Sequence, residues 1–163
     1  VAEVSYLMRE ERHDEARRAL EATLARYPDD VSVLLTAGEV WESLQRTDSL
    51  RADEYLNLRR DAYRRVLAQV PDHFAANFNL GVALYNRAIH LMTEQQQDTE
   101  LDALFTLLET CAALFREAMP LFEKTQSLRP EHKDSLRALE GIYHNLDEAE
   151  KLRVVRESLY SLK

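Results

Sequence analysis

Arg26-Tyr27-Pro28-Asp29-Asp30, Gln69-Val70-Pro71-Asp72-His73 and Leu128-Arg129-Pro130-Glu131-His132 are three versions of one motif, each closing an apolar-periodic segment. Proline lacks an N–H and its ring crowds the preceding turn, so each copy ends a helix. Working outward, glycines stand ten residues after the first two prolines, at Gly38 and Gly81, and Glu140 beside Gly141 stands ten after the third. Eight residues before each proline is a large apolar residue: Leu20, Tyr63 and Phe122. Fixed offsets around a recurring breaker mark a helical repeat array.

Composition agrees with an all-helical chain. Only three glycines and four prolines punctuate 163 residues, too little turn vocabulary for many short strands. The length is that of one domain with a sizeable core. A net charge of −8 repels phosphate backbones and argues against a nucleic-acid partner. The single Cys111 excludes an internal disulfide and a cysteine-based zinc site. No run approaches the length of a membrane span. The chain opens on Val1 rather than Met, so further sequence is expected upstream. The compartment stays open between cytoplasm and periplasm.

The periodicity predicts eight helices in four hairpins, about 1–28, 31–71, 73–130 and 132–163, forming one domain. Leu34, Ala37, Val40, Trp41 and Leu44 form one stripe; Leu56, Tyr63, Val66 and Leu67 form the next. Thr47-Asp48-Ser49 offers caps for the second of these helices.

These residues resemble the tetratricopeptide repeat family, whose unit of about 34 residues carries small and aromatic residues at set places and ends at a proline. Leu34, Ala37, Gly38 and Trp41 match one first helix, and Asn77, Leu80, Gly81 and Leu84 the next. Leu136, Leu139 and Tyr143 match the last. On second helices Ala16, Leu20 and Pro28 agree, as do Ala118, Phe122 and Pro130; Arg59 takes the alanine place before Tyr63 and Pro71. The resemblance spans essentially the whole chain and implies a right-handed superhelical array. Small residues let paired helices approach, and Trp41, Tyr63, Phe122 and Tyr143 are expected to fill space between hairpins.

The prolines at 28, 71 and 130 lie 43 and 59 residues apart, well beyond the family's spacing. The added residues belong at the far turns of the second and third hairpins, which are expected to be elongated, the third projecting as a finger tipped by residues 94–98. Along its second helix Leu101, Leu104, Leu108, Cys111, Phe115, Ala118 and Phe122 alternate spacings of three and four, a heptad seam that requires a facing helix. Either Tyr85, Ile89 and Met92 bury it internally, or it is a dimer interface. Internal burial would make Leu108→Ala cost about 2–5 kcal/mol. Pro120 is expected to kink this helix.

No site for chemistry is legible. Three scattered glycines cannot cradle a phosphate. Glu10 and His13 give a lone Glu-x-x-His at a predicted turn, where a di-iron bundle needs two such motifs. Cys111 sits on the apolar seam as a structural thiol. The chain is therefore read as a non-enzyme without cofactor or metal.

The resemblance implies that first helices line a concave groove that takes a protein or peptide. Projecting the phase places Leu35, Glu39, Phe78, Asn79, Val82, Tyr85, Asn86, Arg137 and His144 on that face. Phe78, Val82 and Tyr85 give α-helical positions 80 and 84 a second apolar side opposite them. Asn79 and Asn86 are placed to pair with a peptide's main chain. The family's lysine and arginine clamp for a terminal carboxylate is not reproduced, since Ser5 and Met8 stand in the first repeat. The alternative function is self-association through the third hairpin, giving a weak homo-oligomer.

Overall fold

The computed structural model describes residues 1–94 and 100–162. Among them are eight α-helices and no strand: α1 (Ala2–Arg9), α2 (His13–Arg26), α3 (Val31–Thr47), α4 (Ala52–Gln69), α5 (Phe74–Thr93), α6 (Leu101–Leu128), α7 (Lys133–Asn145) and α8 (Ala149–Ser161). The expected tip at 94–98 falls, apart from Glu94, outside the described residues. The chain divides into two units, Val1–Ala76 and Asn77–Lys163, the division falling in the first turn of α5.

The proline motif builds the same corner three times. Tyr27, Val70 and Arg129, each before a proline, have φ of −132°, −132° and −140° and close the preceding helix with an N–H bond four residues back. Backbone outside the α region at that place is what proline imposes on its predecessor. Two residues past each proline is the cap of the next helix. Asp30 Oδ1 accepts from the Val33 N–H at 2.9 Å. His73 Nδ1 accepts from Ala76 N–H and His132 Nδ1 from Ser135 N–H, both at 3.2 Å. The motif thus stops one helix and satisfies an orphan donor of the next.

Hairpin turns are built differently. Glu11 and Asp147 both take left-handed backbone, φ 56° and 57°. The next residue's N–H reaches back to Leu7 O and Tyr143 O respectively, a Schellman closure in the short first and last hairpins. In the second hairpin Thr47 does not cap the helix that follows. The Thr47 hydroxyl donates back to Leu44 O at 3.1 Å, one 3-10 turn (Ser49–Arg51) intervenes, and α4 starts without a side-chain cap.

The first unit packs Val4, Leu7, Ala16 and Leu20 in one hairpin and Leu34, Trp41, Tyr55, Leu56, Tyr63 and Val66 in the next. Trp41 stacks on Tyr55 with centroids 5.9 Å apart. Gly38 faces the Tyr63 ring so closely that an added Cβ would lie 2.6 Å from the phenol oxygen. The ring, rather than the α4 backbone, occupies the glycine notch, and it does so inside the hairpin. Arg59, in the family's alanine place, is the one buried charged side chain among the described residues. Its Nη2 lies 3.1 Å from Glu42 Oε2 and its Nη1 donates to Gln45 Oε1 at 2.9 Å. Burial pulls its pKa down, and Glu42 opposes that shift.

In the second unit Phe122 takes the notch at Gly81, 2.9 Å from a hypothetical Cβ. The buried Thr125 hydroxyl donates to Phe122 O, and its oxygen meets Ser135 Oγ at 2.7 Å, tying the end of α6 to the start of α7. Helix α6 runs unbroken through Pro120, which is exposed, so water can reach the carbonyl that lost its partner. The seam on α6 is buried only in part. Cys111, Phe115, Ala118 and Phe122 are buried and Leu104 is half-buried, whereas Leu101 and Leu108 are 66% and 46% exposed, as is Phe105 beside the seam at 59%. Burial of Leu108 by its own chain is therefore corrected.

Two stability contrasts follow from this packing. Gly38→Ala gains about 1 kcal/mol of helix propensity but must displace the Tyr63 ring, at about 1–3 kcal/mol. A net loss is expected in urea denaturation, larger than for Gly81→Ala, and Tyr63→Leu in the same chain should relieve it. Equal losses at both glycines would contradict the notch geometry. Phe115→Ala should cost about 3–5 kcal/mol and Leu108→Ala less than about 1 kcal/mol. Comparable costs would mean that Leu108 is covered.

Candidate functional site

The second unit brings the first helices of two successive hairpins together. Gly141 on α7 lacks a Cβ where the Tyr85 hydroxyl of α5 arrives, and any side chain there would collide with it. Arg137 and His144 lie four residues before and three after Gly141, on the same face of α7, and both are exposed. On α5, Val82 is half-buried one turn before Tyr85, and Asn86 is exposed beside it. The meeting of α5 and α7 is thus bordered by an amide, a guanidinium and an imidazole, with a half-buried valine alongside.

The aromatics assigned to this face have work inside the fold. Phe78 stands edge-on to Phe122 at 5.9 Å and to His132 at 5.0 Å. Tyr85 lies tilted on Phe115 at 5.6 Å. Both are half-buried, so they form the floor of the face rather than free anchors. Burial first, and Glu140 second, raise the Tyr85 pKa, so the phenol stays protonated and keeps a donor. Asn79 is half-buried and is not a free amide; Asn86 is the exposed member of that pair. Leu35, half-buried, and Glu39, exposed, belong to α3 in the other unit.

The charges around the face are weakly held. Arg137 Nη1 lies 3.6 Å from Asp134 Oδ1 with both side chains about two-thirds exposed, a geometry worth about 0–1 kcal/mol. A partner's carboxylate can therefore compete for Arg137. Glu140 is more committed, accepting from Arg156 Nε at 2.8 Å.

A second concavity was not anticipated. A cleft of about 200 Å³ between α6, α7 and α8 is lined by Leu136, Leu139, Tyr143, Val154 and Val155, with Lys151 at its edge. Lys151 Nζ lies 3.1 Å from Glu123 Oε1, to which the Tyr143 hydroxyl donates at 3.0 Å. Burial, then the Glu123 bond, push the Tyr143 phenol well above its ordinary range. Consecutive Val154 and Val155 were its only sequence signal, a weak one, since adjacent apolar residues also face a core together, as Val40 and Trp41 do.

Among the described residues no group of three or more His, Cys, Asp or Glu could hold a metal ion. The Cys111 thiol is buried, approaches Ala88 O at 3.6 Å, and is pushed up by burial, which keeps it protonated. No helix among the described residues is long and apolar enough to cross a membrane.

Comparison with known proteins bears on the architecture. The sequence model of the tetratricopeptide repeat matches residues 1–49 and 60–88. No curated protein sequence matches the chain. Among solved structures, MamA of AMB-1 superposes with a TM-score of 0.70 at 21% identity, covering 98% of this chain and 68% of MamA. MamA of MSR-1 gives 0.65 at 20% identity, over 96% of this chain and 70% of that one. A monomeric mutant of IFIT1 with Gppp-AAAA gives 0.66 at 17% identity, over 98% of this chain and 31% of IFIT1. At such identities the likeness speaks for the fold. Residues 1–49 and 60–88 are thus matched as tetratricopeptide repeats, and the superpositions give the chain the helical-array fold of such repeats.

Proposed function

We propose that this chain is a non-catalytic scaffold that holds a protein or peptide partner on the first-helix faces of its hairpins. The observation that carries the reading is the junction of α5 and α7. Tyr85 closes onto Gly141, and the same two helices carry half-buried Val82 and exposed Asn86, Arg137 and His144. An apolar floor with a polar border suits a peptide, whose main chain needs hydrogen-bond partners and whose side chains need an apolar surface. The net charge of −8 favours a protein partner over a nucleic acid. Leu35 and Glu39 on α3 are the corresponding positions of the first unit and are proposed to contact a separate part of the partner.

Because Phe78 and Tyr85 are packed, truncating them would mix lost stability with lost binding. The cleaner test changes Asn86, Arg137 and His144 together to alanine, all three being exposed. A partner captured by the wild-type chain and identified should bind the triple variant about tenfold or more weakly by calorimetry, with an unchanged melting curve. Unchanged affinity would overturn the assignment of this face.

A further inference from the structure

The outer end of α6 is an apolar strip that its own hairpin partner does not reach. Three contacts set the register of the antiparallel pair: Cys111 Sγ against Ala88 O, Phe115 against Tyr85, and Phe122 against Phe78. Continued outward, this register places Thr93, the last residue of α5, roughly opposite Thr106. Leu101 and Phe105 lie beyond it and Leu108 at its edge, which accounts for their exposure. Residues 95–99 read Gln-Gln-Gln-Asp-Thr and supply no apolar side chain to cover them.

The charges beside the strip are of one sign. Between Arg87 and Arg116 the sequence holds no lysine or arginine. At 100° per residue, Asp102 and Glu109 flank one edge of the face made by Leu101, Leu104, Phe105 and Leu108, and Glu100 flanks the other. None of these three carboxylates has a basic partner among the described residues. Favourable interaction with the helix N-terminus accounts for Glu100 and Asp102, but Glu109 lies two turns in, beyond its reach.

We infer that this strip is a docking surface for a short amphipathic helix with lysine or arginine on its flanks, lying on the seam where α5 stops. Two or three turns of such a helix match the length from Leu101 to Leu108. A second copy of this chain is the poorer occupant. An antiparallel pair of strips would set Glu100, Asp102 and Glu109 against their own counterparts, and like charges in an interface oppose association. The surface is separate from the α5–α7 face, so variants of either one leave the other intact.

The test uses the full chain and two labelled 14-residue peptides, with leucine at alternating three- and four-residue spacing and either lysine or glutamate elsewhere. Fluorescence anisotropy should show the lysine peptide binding about tenfold or more tightly than the glutamate peptide, and less tightly as salt rises. Leu101→Ser with Phe105→Ser, both exposed and therefore harmless to the fold, should weaken the lysine peptide about tenfold. Glu100→Gln, Asp102→Asn and Glu109→Gln together should weaken it severalfold and flatten the salt dependence. The proposal is overturned by failure of the lysine peptide to bind or by equal binding of the two peptides. It is also overturned by a serine variant that binds as well as wild type, which would be association through net charge alone. Sedimentation equilibrium showing a dimer that the serine variant dissolves would assign the strip to self-association instead.

Discussion

An aromatic ring seated in a glycine notch is the contact on which the longer hairpins depend. Tyr63 enters at Gly38 and Phe122 at Gly81. Each glycine lies ten residues after one proline and each ring eight before the next, so the motif's fixed offsets are the two halves of this contact. It also explains how the hairpins tolerate length. Residues added between glycine and ring leave the ring free to meet its notch. Helices of 17 and 18 residues and then 20 and 28 are built on the same base. The last hairpin departs from the rule. Glu140 stands at the glycine's offset and meets Arg156 of α8, while neighbouring Gly141 admits Tyr85 from the hairpin before.

How much of this was legible in the sequence depended on whether the cause was local. Helix ends were readable because a proline acts on its own turn. The caps at His73 and His132 were not, since histidine is absent from the usual capping residues and accepts only through an unprotonated Nδ1. Asp30, an ordinary cap, could have been found. The apolar periodicity carried the helix count, and the structure agrees with it.

The candidate surfaces were less legible, because they depend on where other helices stop and lean. The heptad pattern on α6 identifies an apolar face correctly along its whole length. It carries no information on how far α5 runs beside it, so Phe115 and Leu108 look alike in sequence and differ in burial. Phe78 and Tyr85 were expected on the first-helix face. Their rings then turn onto Phe122, His132 and Phe115, which only the side-to-side packing of helices determines. Asn86, Arg137 and His144 are exposed.

Arg59 gives the first unit a thermal character that its apolar core alone would not. The guanidinium is dehydrated beside Glu42 and Gln45, and losing its hydration shell is the main charge against the pair. Ionic hydration carries a strongly negative entropy, so that loss becomes less costly as temperature rises, while apolar burial levels off. The segment from Val1 to Ala76 therefore holds a contact that is a burden in the cold and lightens with warming. An alanine in the same place would have packed without that dependence on temperature.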